Sequence, residues 1–397
     1  MPSTQEDQDR SSKAFEHVSY TDPGWKADPA KLLAAARRWH PIASCTLPRF
    51  DVDAFQRRHG WRSGGRVAAG PCTPEAVLGV MNEDRFRKGP AQFPWDASGD
   101  VLARVADAIR CGRPVEVVLP SFAGRPHNPA AHRRVAPDLG ELYALQLLKN
   151  ISDAVSVVYA PGVLFTLVLD GRAYRPFYGY SDDEAMPYGD NVRKQIDLLG
   201  ARGRIQAVDM HDLMQARSEE LASIDLAVRE DVTRLWASNR FTHRRDLVRA
   251  LRQGTETTAI SAAFIELYKR GGIEGVDVAA LLREADEILD ERADRTAFEY
   301  AVLLTKLREL DVLGRAFPHA VRGTVHPKPG QYSPRIKDDA TRISPWHGVA
   351  IEHPDGRIVT EYEAFVYQDF EQYEAVFVAG DEAPFFYRRR GIPSAGA

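Results

Sequence analysis

The chain has 397 residues, 44% hydrophobic and 27% charged, with 52 basic against 56 acidic residues and a net charge of −4. Those proportions belong to a folded globular chain and exclude a wholly disordered protein, a collagen-like repeat or a disulfide scaffold. The slight acidic excess argues against bulk binding to DNA or RNA, which requires a basic surplus.

The length suits about two to three domains, or one large α/β domain with extensions. The longest apolar runs, Val115 to Leu119 and Val163 to Leu169, fall far short of the ~18 residues of a membrane helix. The three cysteines, Cys45, Cys72 and Cys111, are odd in number, widely spaced and outside any CxxC or Cys/His zinc pattern. We read them as free thiols in a reducing compartment. The N-terminus carries no apolar segment, so no secretory signal is expected and the expected location is cytoplasmic.

In chain order, residues 1–27 are polar and aperiodic and read as a mobile tail. Residues 28–97 read as a helical and loop extension. It opens with a helix from Pro29 to Trp39 capped by Asp28, and the Gly- and Pro-rich stretch 60–75 reads as a long loop. Residues 98–380 are expected to form the main α/β domain. Asp100 to Cys111 reads as a helix, and Val115 to Leu119 as a strand buried on both faces and closed by Pro120. Asp138 caps a long amphipathic helix running to about Tyr159, Pro161-Gly162 breaks it, and Val163 to Leu169 is a second buried strand. This strand, loop, helix, strand order is a βαβ unit and requires a parallel pair.

Asp182 to Leu199 reads as a helix and Arg204 to Val208 as a third strand. Residues 212–312 have helical periodicity and are expected to form a helical block. Beyond it come a strand at Ala320 to Val325, a hairpin of Val349 to His353 with Arg357 to Tyr362 around Pro354-Asp355-Gly356, and a last strand at Glu374 to Val378. Residues 381–397, with Arg388-Arg389-Arg390, read as a solvated tail. The fold class is α/β: a Rossmann-like, mainly parallel sheet with a helical block between its two halves.

In such sheets ligands bind where loops leave the C-terminal ends of strands. Ser121, Phe122, Arg125, His127 and Asn128 follow the first strand. Arg125 offers a fork for phosphate or carboxylate and His127 a proton carrier. Asp170-Gly171-Arg172 follows the second strand and reads equally as a site or as a turn. Asp209-Met210-His211-Asp212 follows the third, where an acid can hold ribose hydroxyls, or where His211 and Asp212 could be a base and its neighbour. A C-terminal group, Arg322, His326, Lys328, Arg335, Lys337, Trp346 and His347, suits an anionic small molecule. A core Trp with a satisfied His is the plain alternative for its last two members. There is no phosphate-binding GxxxxGK[ST] loop, no GxGxxG after a strand, no HExxH and no GxSxG. The histidines form no spacing set for a metal.

Several short pieces share an order and spacing with one family. They are Leu119-Pro120-Ser121-Phe122 with Asn128, Asp138-Leu139-Gly140-Glu141, Asp170-Gly171-Arg172 and Gly179-Tyr180-Ser181-Asp182-Asp183 with Tyr188-Gly189. Asp212-Leu213, Arg322, His326-Pro327 and Pro345-Trp346-His347-Gly348-Val349 complete the set. In these the chain resembles the pyoverdine/dityrosine biosynthesis family, which contains the isocyanide (isonitrile) synthases. The resemblance extends over about residues 115–352. Three positions depart: Arg125 and Pro126 stand where the family loop has lysine and serine, and Lys328 follows His326-Pro327.

The resemblance implies a reaction without metal or redox cofactor. An amino-acid amine, tyrosine or tryptophan favoured, condenses with the ketone of ribulose 5-phosphate, and the imine fragments to leave one carbon on nitrogen. It implies a cationic phosphate pocket, for which Arg125, Arg322 and Lys337 are candidates, and a carboxylate anchor at Arg172. It implies proton carriers among His326, His347, Asp170 and Asp182. Ser121, Phe122, His127, Asn128, Tyr188 and Trp346 would line the substrates. The partners it implies are small molecules and, in the same pathway, a downstream iron- and 2-oxoglutarate-dependent oxygenase, with no nucleic acid and no membrane. Three other readings stay open: a diverged amine and sugar-phosphate condensation that makes no isocyanide, a Rossmann-like methyltransferase, and a non-catalytic small-molecule-binding protein.

Overall fold

The computed structural model describes residues 45–47, 50–61, 72–88, 99–125, 132, 134–178, 182–238, 295, 297–325, 330–338, 343–361, 363, 366, 370–381 and 383–391. The helix expected at Pro29 to Trp39, the tail at residues 1–27 and most of the loop at 60–75 lie outside them. The chain divides into two compact units, residues 37–216 with 313–397, and residues 1–36 with 217–312.

The larger unit begins with β1 (Cys45–Leu47) and three helices, α1 (Val52–His59), α2 (Pro74–Met81) and α3 (Gly99–Arg110). Asp51 and Thr73 cap the first two, accepting from Ala54 N and Ala76 N at 2.8 and 3.2 Å. Both helices fall in the stretch read as an extension without detailed structure. They are only 8 residues each, too short to show a clear period.

Strand β2 (Val115–Ser121), helix α4 (Leu139–Val155) and strand β3 (Val163–Leu169) form the expected βαβ unit, with β2 and β3 parallel from Val115↔Val163 to Ser121↔Leu169. Helix α5 (Gly171–Tyr178), helix α6 (Asp182–Leu198), strand β4 (Ile205–Asp209) and helix α7 (Met210–Gln215) follow. α5 begins where Asp170-Gly171 was open to being a turn. β2 runs two residues past its expected end and includes Pro120. The chain tolerates this because Val118 O, and so the N–H side of Pro120, faces β5 (Val321–Arg322), which pairs only with Val117 and Val118. The expected strand at Ala320 to Val325 is thus two residues long, continued by a bridge from Gly323 to Tyr332.

The first sheet is wholly parallel, in the order β4-β3-β2-β5. Val117, Leu119, Phe165, Leu167, Ile205 and Val321 project into the main core, which also takes Leu142, Leu145, Leu148 and Ile151 of α4. α4 is almost entirely buried, so its amphipathic reading understates how much of it packs. On the opposite face the two central strands are less apolar than expected. The Thr166 hydroxyl donates to Glu116 Oε1 at 2.6 Å and accepts from the Gln206 amide at 2.7 Å.

The two sheet-forming halves of the sequence make two separate sheets. After α8 (Val312–Ala316) and β5, the chain builds β6 (Val349–Glu352), β7 (Ile358–Glu361), β8 (Tyr373–Val378) and β9 (Phe386–Arg389). The second sheet is mixed, ordered β1-β8-β9-β6-β7. β6 and β7 are the expected hairpin, turning through Gly356 at φ 89°. β9 was read as tail and is a correction. Arg388 bridges Glu352 at 2.9 Å and Glu374 at 3.5 Å, so these arginines are ordered by cross-strand charge pairs. Cys72 and Cys111 are free and exposed.

In the smaller unit, helices Ser218–Ser223 and Asp225–Ala237 and the helical residues 297–309 agree with the helical block; residues 239–294 lie outside the described set. Trp236 meets Phe298 edge-on at 5.8 Å, and Arg229 forks onto Glu299 with both bonds at 2.8 Å. Among the described residues, no helix is long and apolar enough to cross a membrane.

Two backbone features fix how the strand-end loops meet. Phe122 holds φ 56°, a left-handed value uncommon for an aromatic residue. A Cβ on Gly171 would lie 2.2 Å from Ala123 O, so the loops after β2 and β3 touch backbone to backbone. Gly171→Ala is expected to destabilise the larger unit by about 1–3 kcal/mol, the usual cost of overpacking, as read by urea unfolding.

Candidate functional site

In the order β4-β3-β2-β5, the chain moves from β2 out to β4 and then returns to β5 on the other side. The switch point is therefore beside the C-terminal end of β2. Three segments converge there: Phe122 to Arg125 after β2, Asp170 to Arg172 after β3, and the 3-10 turn Pro345–His347 before β6. Phe122 links them, its ring 4.9 Å from that of Trp346 while the next residue's carbonyl lies against Gly171.

Asp170 stands at the end of β3 with one carboxyl oxygen, Oδ1, buried and without a hydrogen-bond partner. Burial pushes its pKa up to about 7. A hydrogen bond from its own backbone opposes the shift and the charge of Asp209 adds to it. Asp209, at the end of β4, caps α7 by accepting from His211 N at 2.8 Å, and burial raises its pKa too. Arg172, on α5, reaches Asp182 at 3.3 Å, Asp212 at 3.2 Å and Asp209 at 3.6 Å. Arg175, one turn further along α5, pairs with Asp182 from its other side. Four carboxyl groups and two guanidinium groups thus share these strand ends.

His347 is the exposed member of its turn, between buried Trp346 and buried Gly348. Its ring is reached by solvent yet surrounded by protein. Burial among those atoms, with the Arg125 charge, lowers its pKa to about 4, so the imidazole is neutral at physiological pH.

Behind this surface lies a buried ionic cluster. Arg125 has no exposed side-chain surface. Its Nε and Nη2 fork onto Glu141 at 2.6 and 2.7 Å, and Nη2 also reaches Asp138 Oδ2 and Pro345 O, each at 2.9 Å. Asp138 and Glu141 form the capping box of α4, with Asp138 N donating to Glu141 Oε2 at 2.9 Å. Tyr188 of α6 donates its hydroxyl to Glu141 Oε1 at 3.1 Å. Burial pushes the Glu141 carboxyl upward against the pull of Arg125, because one cation faces two acids.

The structure therefore revises several expected roles. Arg125 does not present its fork to a phosphate, because Glu141, Asp138 and Pro345 O occupy it. Arg172 is not an open carboxylate anchor, since three aspartates surround it. Lys337 is buried and donates to Ile343 O at 2.6 Å. Arg322 pairs beside Val118, three residues short of the end of β2, as the exposed last residue of the edge strand β5. Tyr188 belongs to the buried cluster, Ser121 donates to Leu119 O at 3.0 Å, and Phe122 and Trp346 are buried against each other. His211 faces Gln215 and Asp212 faces Arg172, so those adjacent residues are not a base and its neighbour.

Asp170, Asp182 and His347 do reach the strand ends. His326, His127 and Asn128 lie outside the described residues. Arg175 was not foreseen; its signal was its place one turn beyond Arg172, visible only once α5 is known to be a helix. Among the described residues, no group of three His, Cys, Asp or Glu could hold a metal ion. A groove of about 380 Å³ lined by Asp53, Gln56, Arg57, Gly60 and Trp61 shares no residue with the strand ends.

A model of the pyoverdine/dityrosine biosynthesis proteins matches residues 105–375, a segment containing Arg125, Asp170, Asp209 and His347. An L-tyrosine isonitrile synthase of Pseudomonas aeruginosa is 27% identical over 267 residues, covering 64% of this chain and 74% of that protein. An L-tryptophan isonitrile synthase of Fischerella ambigua is 22% identical over 255 residues, covering 63% and 72%. The crystal structure of the PvcA protein of Pseudomonas aeruginosa superposes with a TM-score of 0.57 at 25% identity, covering 80% of this chain and 99% of that one. With more than half its length inside the matched segment, and the converging strand-end loops within it, this chain belongs to the pyoverdine/dityrosine biosynthesis protein family.

Proposed function

We propose that the chain is an isonitrile-forming enzyme. It joins the amine of an amino acid, tyrosine or tryptophan favoured, to the ketone of ribulose 5-phosphate and fragments the imine to leave one carbon on nitrogen. The supporting observation is Asp170. A carboxyl group with a pKa near 7 and a partnerless buried oxygen, at the end of a central parallel strand, is matched to accepting a proton at neutral pH. Relatives that act on tyrosine and tryptophan support the substrate class.

In this reading the amine end of the amino acid enters beside Asp170. Four carboxyl groups against two guanidinium groups favour an ammonium there over a carboxylate. Asp170 takes the ammonium proton and so frees the nitrogen lone pair to attack the ketone. Arg172 and Arg175 hold Asp182, Asp209 and Asp212 in place. Neutral His347 donates a ring N–H to the ketone oxygen and polarises it, a task for which the uncharged imidazole is suited. Asp170 then returns its proton to the hydroxyl as the carbinolamine loses water.

Incubation with ribulose 5-phosphate carrying carbon-13 at C2 and the twenty amino acids tests the reaction. The expected result is one labelled carbon gained by one amino acid, with the infrared band of an isocyanide. Consumption of the sugar phosphate without that product would instead favour the diverged condensation. Asp170→Asn tests the assignment. In the wild type, turnover is expected to rise between about pH 6 and 8 as Asp170 ionises; the variant loses that limb and about 10²–10⁴-fold in rate. Because burial raises the folded-state pKa, Asp170 stabilises the protein most when protonated and less as pH rises through about 7. The thermal midpoint of Asp170→Asn, relative to wild type, is therefore expected to climb between about pH 4 and 8.

A further inference from the structure

Arg125 is fully enclosed, and its bonds join three segments that are distant in sequence: the loop after β2, the start of α4 and the turn before β6. Nη2 holds the Pro345 carbonyl at 2.9 Å, and Pro345 is the first residue of the turn that carries His347. The same nitrogen meets Asp138 Oδ2, which also accepts from Ala350 N at 3.2 Å, so the turn is gripped on both sides. Gly140, in the first turn of α4, lies within ordinary contact distance of Pro345 and Ala350, so the helix start packs directly on this segment. Phe122 packs on Trp346 from the loop that carries Arg125. Pro345 and Trp346 are thereby fixed, and His347 is the residue of the turn left facing solvent.

We propose that Arg125 is a positioning residue, holding the Pro345–His347 turn through the Pro345 carbonyl and the Asp138–Glu141 carboxylates so that His347 is kept beside the loop after β2. The consequence for catalysis rests on the function proposed above; the structural link to His347 does not. A buried ion pair adds little stability over a well-packed apolar substitute, so a cluster of this kind is better accounted for by the geometry it imposes. The guanidinium suits the task because its planar fork reaches Glu141 with two nitrogens while Nη2 also serves Asp138 and Pro345. A lysine ammonium has no counterpart of Nε, so it loses the second bond to Glu141 and the fixed plane that sets the direction of the others.

The test compares Arg125→Lys, which keeps the charge and loses the fork, with Glu141→Gln, which weakens the grip from inside the core. Two readouts are taken: steady-state kinetics with ribulose 5-phosphate and the amino acid identified above, and the ring resonance of His347 in protein labelled at histidine, assigned through His347→Gln. The expected result is a fall in kcat of about 10- to 100-fold in Arg125→Lys with KM for ribulose 5-phosphate little changed, the signature of a misplaced reacting group. The His347 resonance is expected to shift or broaden in both variants. A raised KM for ribulose 5-phosphate with kcat retained and an unmoved His347 resonance would overturn the proposal and make Arg125 a direct phosphate ligand. If the wild type yields no isocyanide, the proposed reaction fails and the resonance alone decides: moved in both variants it supports the positioning role, unmoved in both it refutes it.

Discussion

Arg125 carries its charge into the core, and the arrangement of the strand-end loops follows from how that charge is met. A guanidinium with no exposed side-chain surface needs carboxylates around it, and Asp138 and Glu141 supply them from the capping box of α4. The cap that starts the principal core helix is thus also the counter-charge for the loop after β2. Pro345 O takes a further bond from Nη2, while Nη1 is buried without a partner, and Ala350 N brings β6 against the same helix end. One ionic cluster joins both sheets of the larger unit at the point where the parallel sheet changes direction.

The loops that pack against this junction have the opposite character. Asp170 keeps an oxygen without a partner, Phe122 holds a left-handed backbone, and Gly171 has no room for a side chain. Each feature costs stability, and such costs concentrate where groups are held ready for a ligand. The ionic cluster provides the rigidity and the loops after β2 and β3 carry the strain and the unpaired acid, which is the division expected of a site placed on strand ends.

The sequence was most legible where a single periodic signal operated. β3 was read at its observed bounds, and Asp138 with Glu141 announced the start of α4 through a local hydrogen-bond pattern. The 8-residue helices α1, α2 and α5 were missed because so few residues barely sample a helical period, and β9 was missed because its arginines mimic a solvated tail. The sequence placed Asp170 after a strand and His347 before one, and the structure has both there. The cations were misassigned for one physical reason. A sequence shows that Arg125, Arg172 and Lys337 are positively charged but not which acceptors fold around them: Arg125 and Arg172 meet carboxylates on other helices, and Lys337 turns back onto the Ile343 carbonyl.

The central claim is that the amine of the substrate meets Asp170 at the end of β3, opposite a neutral His347. The most direct measurement is a crystal structure of the protein with a bound aromatic amino acid. The account predicts the substrate nitrogen within about 2.6–3.2 Å of an Asp170 carboxyl oxygen. A bound amino acid that turns its carboxylate to these strand ends, or that occupies the groove beside Trp61 and leaves Asp170 untouched, would contradict it.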